Sequence, residues 1–275
     1  MADFLHFSSD QIEFFHANGY VAGPRVLSNE QLDCLRERSD GILSGRIEYP
    51  DDLRGLSSAE VKGNLKLRKI ANLFRNDRVF AEVIGNSAIS TLAHDLMDAP
   101  VRVWEDQSIA KAPGDEFSVV AWHRDYTYWD HVGPPELATC WIALDDATIA
   151  NGCMQVIPGS HLWNLDYTRD DIDNDNPDWV RERPEIPAEA NVEPVACEVP
   201  AGHCHFHHCL TLHGSEGNTT DHPRRSYILH LMPGTTRRLG NDWNPRMASV
   251  EVVEVGQIVH GSEYPELPAV AERKA

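Results

Sequence analysis

Basic residues are scarce in this sequence relative to acidic ones. Lys and Arg together number 24 against 43 Asp and Glu, which gives a formal net charge of -19. Nucleic acids and anionic membrane surfaces are bound by clustered Lys and Arg, because those side chains replace the counterions of the phosphates. We therefore expect neither as a partner, and a small-molecule partner is favoured instead.

Long apolar runs are also missing. No run approaches the roughly 20 residues that are needed to span a bilayer. The first residues, Met1-Ala2-Asp3-Phe4, lack the basic segment and apolar stretch of a secretory signal. A cytoplasmic location is therefore predicted, whereas the oligomeric state is left open.

Cysteine pairs of the kind that bind zinc or cross-link small domains are absent too. The six cysteines contain no Cys-x-x-Cys motif and are not densely spaced. Dense spacing marks disulfide scaffolds, and Cys-x-x-Cys marks many metal sites. The pattern therefore predicts reduced, mostly buried thiols at Cys34, Cys140, Cys153, Cys197, Cys204 and Cys209.

The first hundred residues carry helical patterns. Ser8 with Gln11, and Ser28 with Gln31, are capping-box pairs that precede apolar residues at helical spacing. A short strand is expected between these two helices. The apolar spacing over residues 64–97 predicts one or two more helices.

Short β-type runs replace the helical pattern from about residue 100 onward, each bounded by Pro, Gly, Asp or Asn. Helices followed by seven or eight short strands predict a mainly β fold with helices: a double-stranded β-helix, or cupin-like jelly-roll barrel, with an N-terminal helical layer. The β-type runs span residues 101–104, 118–122, 138–144, 154–157, 196–199, 204–207 and 226–232.

The chain length fits one domain, which is expected to cover residues 1–275. Within it, we assign the helical layer to about 8–97 and the jelly-roll core to about 100–235. Residues 164–194 are acidic and patternless. A loop of that length inside a compact domain is usually functional or mobile, so it is interpreted as a candidate lid.

Three residues of the β-type segment form a metal-ligand set. On an extended strand His123 and Asp125 point to the same side, so their ligand atoms can converge on one ion. His213 stands 90 residues after His123. Two His and one carboxylate that leave other positions open are expected for non-haem iron(II) oxygenases, whereas four protein ligands close a structural zinc site. The alternative is a chance His-x-Asp spacing, since an isolated His is more often a core or surface residue.

An arginine pair opens the last strong strand, eleven residues after His213. Arg224 and Arg225 face opposite sides of a strand, so one of them is expected to point inward. A planar guanidinium suits a carboxylate because it offers paired donors. The alternative is that both arginines are solvated surface charges.

Five stretches that follow one another along nearly the whole chain carry a family resemblance. They are Asp10-Gln11-Ile12 with Asn18-Gly19-Tyr20-Val21; His123-Arg124-Asp125; Trp141-Ile142-Ala143-Leu144-Asp145-Asp146-Ala147 with Asn151-Gly152-Cys153; Ile157-Pro158-Gly159-Ser160-His161; and His213-Gly214-Ser215 with Asn218 and Pro223-Arg224-Arg225. In this order they resemble the phytanoyl-CoA dioxygenase family, which includes ectoine hydroxylases. One such motif would be unspecific, but five in order are not.

The resemblance implies an iron(II)- and 2-oxoglutarate-dependent dioxygenase. Such an enzyme hydroxylates or otherwise oxidises a small organic molecule, uses O2 as a second co-substrate, and releases succinate and CO2. The resemblance implies that His123, Asp125 and His213 hold the iron and that Arg224 pairs with the far carboxylate of 2-oxoglutarate. It also implies Gln107 as a further contact to the co-substrate or substrate.

Five residues near these motifs have two interpretations each. Thr139 and Trp141 lie on one strand face and either touch 2-oxoglutarate or pack in the core. Tyr126, Tyr128 and Trp129 either form a pocket wall for the substrate or cover the barrel mouth without touching it.

Several alternatives stay open. The cluster His203 to Cys209 is either a second metal site or, as the resemblance favours, a packed strand that leads into His213. Halogenation is disfavoured, because related halogenases lack the carboxylate that Asp125 supplies. The remaining functions are a non-catalytic metal-binding, cupin-like sensor or ligand-binding protein, and a zinc- or iron-dependent hydrolase or isomerase. The substrate stays open, as does the choice among hydroxylation, desaturation, ring formation and epoxidation.

Overall fold

The computed structural model describes residues 5–50, 53–55, 68–165, 183, 185–240 and 253–269. Its α-helices are Ser9–Asn18 (α1), Asn29–Leu43 (α2), Leu73–Asn76 (α3), Arg78–Ile84 (α4) and Ser87–Met97 (α5). Its strands are Tyr20–Arg25 (β1), Arg54–Gly55 (β2), Arg68–Ala71 (β3), Val101–Lys111 (β4), Val120–His123 (β5), Val132–Gly133 (β6), Ala138–Ala143 (β7), Met154–Val156 (β8), Val195–Cys197 (β9), His203–His208 (β10), His213–Ser215 (β11), Arg224–Pro233 (β12) and Arg237–Arg238 (β13). Within these residues, none of the helices has both the length and the apolar character to cross a membrane.

The first two helices begin where the sequence predicts. The Ser8 hydroxyl accepts from the Gln11 N–H at 3.2 Å, and the Gln11 side chain accepts from the Ser8 N–H at 2.9 Å. Ser28 and Gln31 form the same reciprocal pair ahead of α2. These bonds satisfy N–H groups that the first helical turn leaves unpaired, and such a cap stabilises a helix by about 1 kcal/mol.

Two antiparallel sheets build the barrel. The larger has seven strands in the order β1-β10-β7-β12-β4-β3-β2, the smaller has four in the order β5-β11-β8-β9, and β13 pairs with β6 separately. From β4 onward the chain crosses repeatedly between the two sheets: β4, β7, β10 and β12 belong to the large sheet, and β5, β8, β9 and β11 to the small one. This confirms the predicted double-stranded β-helix.

The large sheet has two faces of different character. On β7, Cys140 and Ile142 point to the outer face and join the main apolar cluster. Thr139 and Trp141 point to the inner face because side chains alternate along a strand. The strand register continues this division, since His207 of β10 lies opposite Thr139. Polar residues therefore line the inner face, which looks toward the small sheet.

The helices cover the outer face. Leu35 of α2, Phe80 of α4 and Leu92 of α5 are fully buried in one cluster with Tyr227 of β12. Each large apolar side chain that is fully buried contributes about 1.5–3 kcal/mol to stability. The helical layer thereby supports the sheet that carries the polar inner face.

The boundary between the helical layer and the barrel is less sharp than predicted. Strands β1, β2 and β3 lie within residues 8–97 and yet pair into the seven-stranded sheet. Residues 64–97 contain β3 and three short helices where one or two helices were predicted. The breaks arise at Asn72, which adopts a left-handed φ of 55°, and at Asp77, which is extended and caps α4.

The remaining predictions about organisation have mixed outcomes. All six cysteines are free, and all but Cys34 are buried, as predicted. The candidate lid, residues 164–194, falls largely on residues 166–182 and 184, which lie outside the described part of the chain. The single domain over residues 1–275 stays a prediction.

Candidate metal centre

His123, Asp125 and His213 offer ligand atoms that all lie within 4.8 Å of one another. The Nε2 atoms of His123 and His213 lie 3.7 Å and 3.5 Å from Oδ1 of Asp125. Two donors that bind one ion at about 2 Å each lie up to about 4 Å apart, so both distances to Asp125 fit a single metal ion. It arises because β5 and β11 pair with His123 directly opposite His213.

In both His123 and His213, the ring nitrogen that points away from Asp125 is hydrogen-bonded to a backbone carbonyl. Nδ1 of His123 donates to the oxygen of Ala121 at 2.8 Å, and Nδ1 of His213 donates to the oxygen of Thr211 at 2.9 Å. A carbonyl only accepts, so Nδ1 carries the proton in both rings. Both Nε2 atoms therefore direct a lone pair toward the Asp125 carboxylate, as metal ligands require.

Asp125 does not lie on the strand that carries His123, contrary to the sequence-based geometry. Strand β5 ends at His123, and Asp125 opens a 3-10 turn that runs to Tyr128. The intervening Arg124 points away and donates to the backbone oxygens of Ser160 and Trp163. The turn, rather than an extended strand, brings the carboxylate beside the two imidazoles.

The second carboxylate oxygen of Asp125 is held by the large sheet. Oδ2 accepts from the Thr139 hydroxyl at 2.6 Å and from Nε2 of His207 at 3.1 Å. Only Oδ1 faces the imidazoles of His123 and His213. Asp125 is thus prepared to bind a metal through one oxygen.

The hydrogen bonds of Thr139 continue in a chain with a defined direction. Because the Thr139 proton goes to Asp125, Nδ1 of His230 must donate to the Thr139 oxygen, at 2.8 Å. Nε2 of His230 then accepts from the Gln107 amide at 3.0 Å. The amide oxygen of Gln107 is buried and has no hydrogen-bond partner among the described residues, so it is free for a ligand.

The site favours neutral imidazoles at His123 and His207 beside one ionised carboxylate. Burial, reinforced by neighbouring histidines, lowers the pKa of His123 to about 3 and that of His207 to about 4. Burial alone would lower the pKa of His213 too, but the Asp125 carboxylate raises it. Burial works against ionisation of Asp125, yet His213 and His207 hold its pKa well below the usual value. A cation at this point would satisfy the carboxylate without protonating a ring.

Arg224 is the arginine of the pair that points inward. It is 2% exposed and donates to the oxygen of Gly152 at 3.1 Å, while its guanidinium carbon lies 5.5 Å from the centre of the Trp141 ring. Burial lowers its pKa to about 10. Arg225 points to the opposite face and pairs with Asp145 at 2.8 Å. The prediction that one of the two faces inward is confirmed.

The aromatic residues after the ligand pair lie in different surroundings. Tyr128 is in edge contact with His123, with 6.2 Å between ring centres. Tyr126 donates its hydroxyl to the oxygen of Val132 at 2.8 Å. Trp129 is buried in a second apolar cluster, against the ring of His230. Tyr128 is therefore the one of the three whose ring contacts a metal-ligand candidate.

Four residues of the inner face have contacts that the sequence did not predict, although His205 and His207 belong to the cluster that was weighed as a second metal site. His205 is stacked on Trp141, with 5.3 Å between ring centres, and His207 bonds to Asp125. His230 and Lys111 are buried on β12 and β4. For His205 and His207, the alternation along the strand was a usable signal, whereas His230 and Lys111 become visible only through strand register.

Comparison with known proteins gives a consistent picture. The family model described as phytanoyl-CoA dioxygenase matches residues 15–226. A phytanoyl-CoA dioxygenase of Arabidopsis thaliana is 28% identical over 254 residues, which cover 81% of this chain and 88% of that protein. The crystal structure of SnoK, a non-haem α-ketoglutarate-dependent carbocyclase from nogalamycin biosynthesis, superposes with a TM-score of 0.71 at 25% identity and covers 95% of this chain and 97% of SnoK. The epimerase SnoN, solved with Fe3+, α-ketoglutarate and nogalamycin RO, superposes with a TM-score of 0.71 at 22% identity over 94% of this chain and 98% of SnoN.

Proposed function

This chain belongs to the phytanoyl-CoA dioxygenase family, and on that premise we propose that His123, Asp125 and His213 hold the iron of an oxygenase that acts on a small organic molecule. The enzyme is an iron(II)- and 2-oxoglutarate-dependent dioxygenase, an oxidoreductase that hydroxylates or otherwise oxidises its substrate. When bound, iron(II) with 2-oxoglutarate and O2 supplies the oxidising power, and succinate and CO2 are released.

The ligand assignment is supported chiefly by the convergence of two imidazole Nε2 atoms on one carboxylate oxygen. Each imidazole is held in the tautomer that a metal ligand needs, and the other oxygen of Asp125 is engaged by Thr139 and His207. The candidate metal-ligand group found among the described residues has three members. Three protein ligands leave positions for a bidentate co-substrate and for O2.

The co-substrate is assigned to the inner face beside these ligands. Arg224 would hold the far carboxylate of 2-oxoglutarate, because a guanidinium offers it paired, charge-assisted donors. Trp141 packs against Arg224 and orients it. Gln107 has a free amide oxygen, which can only accept a hydrogen bond. Ionised 2-oxoglutarate has no donor, so of the two predicted partners the substrate is the one that fits this oxygen. Thr139 already uses its hydroxyl on Asp125 and His230, so we assign it a positioning role.

The substrate side is assigned to the 3-10 turn that carries Asp125. Tyr128 lies against His123 and is our candidate for substrate contact. Tyr126 and Trp129 support the turn from behind, through the oxygen of Val132 and the second apolar cluster. A net charge of -19 favours a small molecule over a nucleic acid or an anionic membrane as partner. The cytoplasmic location stays a prediction.

Binding and turnover test this function separately. Calorimetry under nitrogen with iron(II) should show that 2-oxoglutarate binds only in the presence of metal. Admission of O2 should then produce succinate, which we expect to increase with the correct substrate. His213→Ala should abolish metal-dependent binding. Arg224→Met should weaken 2-oxoglutarate binding about 100-fold while iron binding is retained, since a buried carboxylate loses charge-assisted bonds.

Arg225→Met is the matched control, because it removes the neighbouring cation on the opposite face of β12, where Arg225 pairs with Asp145. This variant should bind 2-oxoglutarate as the wild type does. Metal-dependent binding without succinate from any candidate substrate would favour a non-catalytic sensor. Equal loss of affinity in both arginine variants would contradict the assignment of Arg224.

A further inference from the structure

Two hydrogen-bond acceptors lie next to each other on the inner face of β4. Glu105 and Gln107 are two residues apart, so their side chains point to the same side of the strand. Glu105 lies directly opposite His230 of β12, whose ring belongs to the chain of hydrogen bonds that ends at Asp125. Both acceptors therefore adjoin the candidate metal centre.

The Glu105 carboxylate has spare capacity to accept hydrogen bonds. An ionised carboxylate has about four acceptor positions, and the indole N–H of Trp129 occupies one of them at 3.2 Å. Nε2 of His230 lies 3.9 Å away and carries no proton, because it accepts from the Gln107 amide. The Glu105 side chain is 27% exposed, so a ligand can reach it.

Glu105 also has no cationic partner within the described ranges. The basic group recorded near it is the neutral ring of His230. Lys69 of β3 points to the same face but lies opposite Ile109, four residues along β4, and forms no ion pair with Glu105. A partly buried carboxylate is stabilised by a positive charge, and the described residues leave that charge to a ligand.

The second acceptor, the amide oxygen of Gln107, is fully buried. It has no hydrogen-bond partner among the described residues, since the amide nitrogen is the atom that meets His230. A buried carbonyl oxygen without a donor costs about 1–3 kcal/mol. A ligand that brings N–H groups to this face would remove that cost.

We propose that Glu105 is a specificity-determining residue of the substrate site, which selects a protonated amine whose N–H groups donate to Glu105 and to the amide oxygen of Gln107. The proposal rests on the proposed function, since it names the substrate class of the same oxygenase. A primary ammonium group has three N–H donors and a positive charge, whereas an alcohol has one donor and no charge. The ammonium therefore satisfies both acceptors at once.

Glu105 lies too far from Arg224 to meet the co-substrate. Glu105 is opposite His230, which is six residues beyond Arg224 on β12. At about 3.3 Å per residue this separation is roughly 20 Å, which is much longer than a five-carbon acid held at Arg224. The negative charge of Glu105 also repels a dianion such as 2-oxoglutarate.

Trp129 connects Glu105 to the turn that we assign to the substrate. It caps the 3-10 turn Asp125–Tyr128, and its indole both donates to Glu105 and packs on His230, with 4.7 Å between ring centres. Tyr128, the last residue of the turn, contacts the ring of His123. Glu105 thus belongs to the substrate side of the metal centre.

Magnetic relaxation of three small probes tests the proposal. Cyclohexylamine, cyclohexanol and cyclohexanecarboxylate share one ring and differ in a single group, and at pH 7.5 the amine is protonated. Each is titrated under nitrogen into the enzyme loaded with iron(II) and 2-oxoglutarate. Paramagnetic iron(II) speeds the relaxation of probe protons that are bound near the metal. The titration therefore gives the affinity at this site, without turnover and without a contribution from amines bound to the acidic surface.

The wild type should bind cyclohexylamine about 10-fold more tightly than cyclohexanol, which corresponds to one charge-assisted hydrogen bond. Cyclohexanecarboxylate should bind more weakly than either. Glu105→Gln removes the charge but keeps an oxygen that can accept from Trp129. We expect this variant to lower the affinity for the amine about 10-fold and to leave that for the alcohol unchanged.

Glu82→Gln is the control variant, because it removes one carboxylate from the exposed surface of α4, where Glu82 pairs with Arg78. It should keep the wild-type preference for the amine. The comparison of amine and alcohol in the wild type remains decisive even if Glu105→Gln does not fold.

The outcomes are distinguishable. If the wild type binds iron(II) and 2-oxoglutarate but prefers the alcohol, shows no preference or binds no probe near the metal, this proposal alone is wrong. If Glu105→Gln has a lower melting temperature but keeps the preference for the amine, Glu105 only holds Trp129 and the proposal is also wrong. If the wild type binds neither iron(II) nor 2-oxoglutarate, the proposed function fails and this proposal fails with it.

Discussion

At the scale of single residues, the carboxylate of Asp125 is held by donors from two strands, β7 and β10. A one-way chain of donors runs from Gln107 through His230 and Thr139 to Oδ2 of Asp125. His207 donates to the same oxygen from the adjacent strand. Residues that orient a metal ligand in this way set its geometry without touching the metal.

Thr139→Val tests this chain, because valine has nearly the same shape but no hydroxyl. We expect iron(II) affinity to fall about 10- to 100-fold, since Asp125 loses a donor and His230 loses its acceptor. Competition with a metal chelator measures the affinity. Thr91→Val is the control, because Thr91 is equally buried in α5 and its hydroxyl donates to the backbone oxygen of Ser87 within the same helix, away from the site. An unchanged affinity in Thr139→Val would show that Asp125 needs no such support.

The three metal-ligand candidates could be predicted from sequence, whereas their supports could not. His123 and Asp125 are two residues apart, and a known motif marks His213. His230 owes its role to strand register, which places it opposite Thr139, 91 positions away in the sequence. A single sequence contains no local signal for such pairings.

At the scale of elements, the turn before β8 controls the position of Arg224. Gly152 ends a 3-10 helix with a φ of 75°, a left-handed conformation that favours glycine. A Cβ there would lie 2.2 Å from the backbone oxygen of Glu216. The oxygen of Gly152 also accepts from Arg224. The turn therefore joins β8, β11 and β12 at the proposed co-substrate site.

Gly152→Ala should destabilise the fold by about 2–4 kcal/mol and weaken 2-oxoglutarate binding, because both the backbone strain and the clash displace the turn. Gly114→Ala is the matched control: Gly114 has a similar φ of 65°, but its added Cβ meets no described atom within 4 Å. That variant should cost about 1 kcal/mol and leave binding intact. Urea unfolding and calorimetry measure the two effects, and equal losses in both variants would contradict the role of the turn.

Elements were predicted best where a capping box or a continuous apolar run marks them. The capping boxes located α1 and α2, and the buried run at 138–144 located β7. Strand β4 was predicted only over 101–104, although it extends to Lys111. Its second half carries Glu105, Gln107 and Lys111 on the inner face, and these polar residues conceal a strand that is nevertheless buried.

At the scale of the whole molecule, Asp106 joins the helical layer to the barrel. Its Oδ2 accepts from the Tyr227 hydroxyl of β12 at 2.7 Å and from the N–H of Phe74 in α3 at 2.8 Å. Asp106 is 1% exposed, and burial raises its pKa to about 7 despite these donors. The carboxylate thus lies at the interface on which docking of the helices depends.

This position gives the molecule a pH dependence of known sign. The pKa of the Asp106 carboxyl is higher in the folded protein than its unfolded value of 3.8, so the folded state binds the proton more tightly. Protonated Asp106 therefore favours folding at low pH. This contribution to stability is lost as the pH rises toward about 7. Repulsion within a chain of net charge -19 acts in the same direction. A variant at Asp106 separates the effect of this buried carboxyl from that of surface repulsion.

Asp106→Asn removes the ionisation while an amide oxygen remains to accept from Tyr227 and Phe74. Relative to the wild type, its free energy of unfolding should rise between pH 5 and pH 8 by up to a few kcal/mol, because only the wild type must ionise a buried carboxyl. Asp221→Asn, at a side chain that is 89% exposed, removes one surface charge and should show almost no such trend. Urea unfolding at several pH values measures both differences. Parallel curves for wild type and Asp106→Asn would mean that surface repulsion, and not the buried carboxyl, sets the pH dependence.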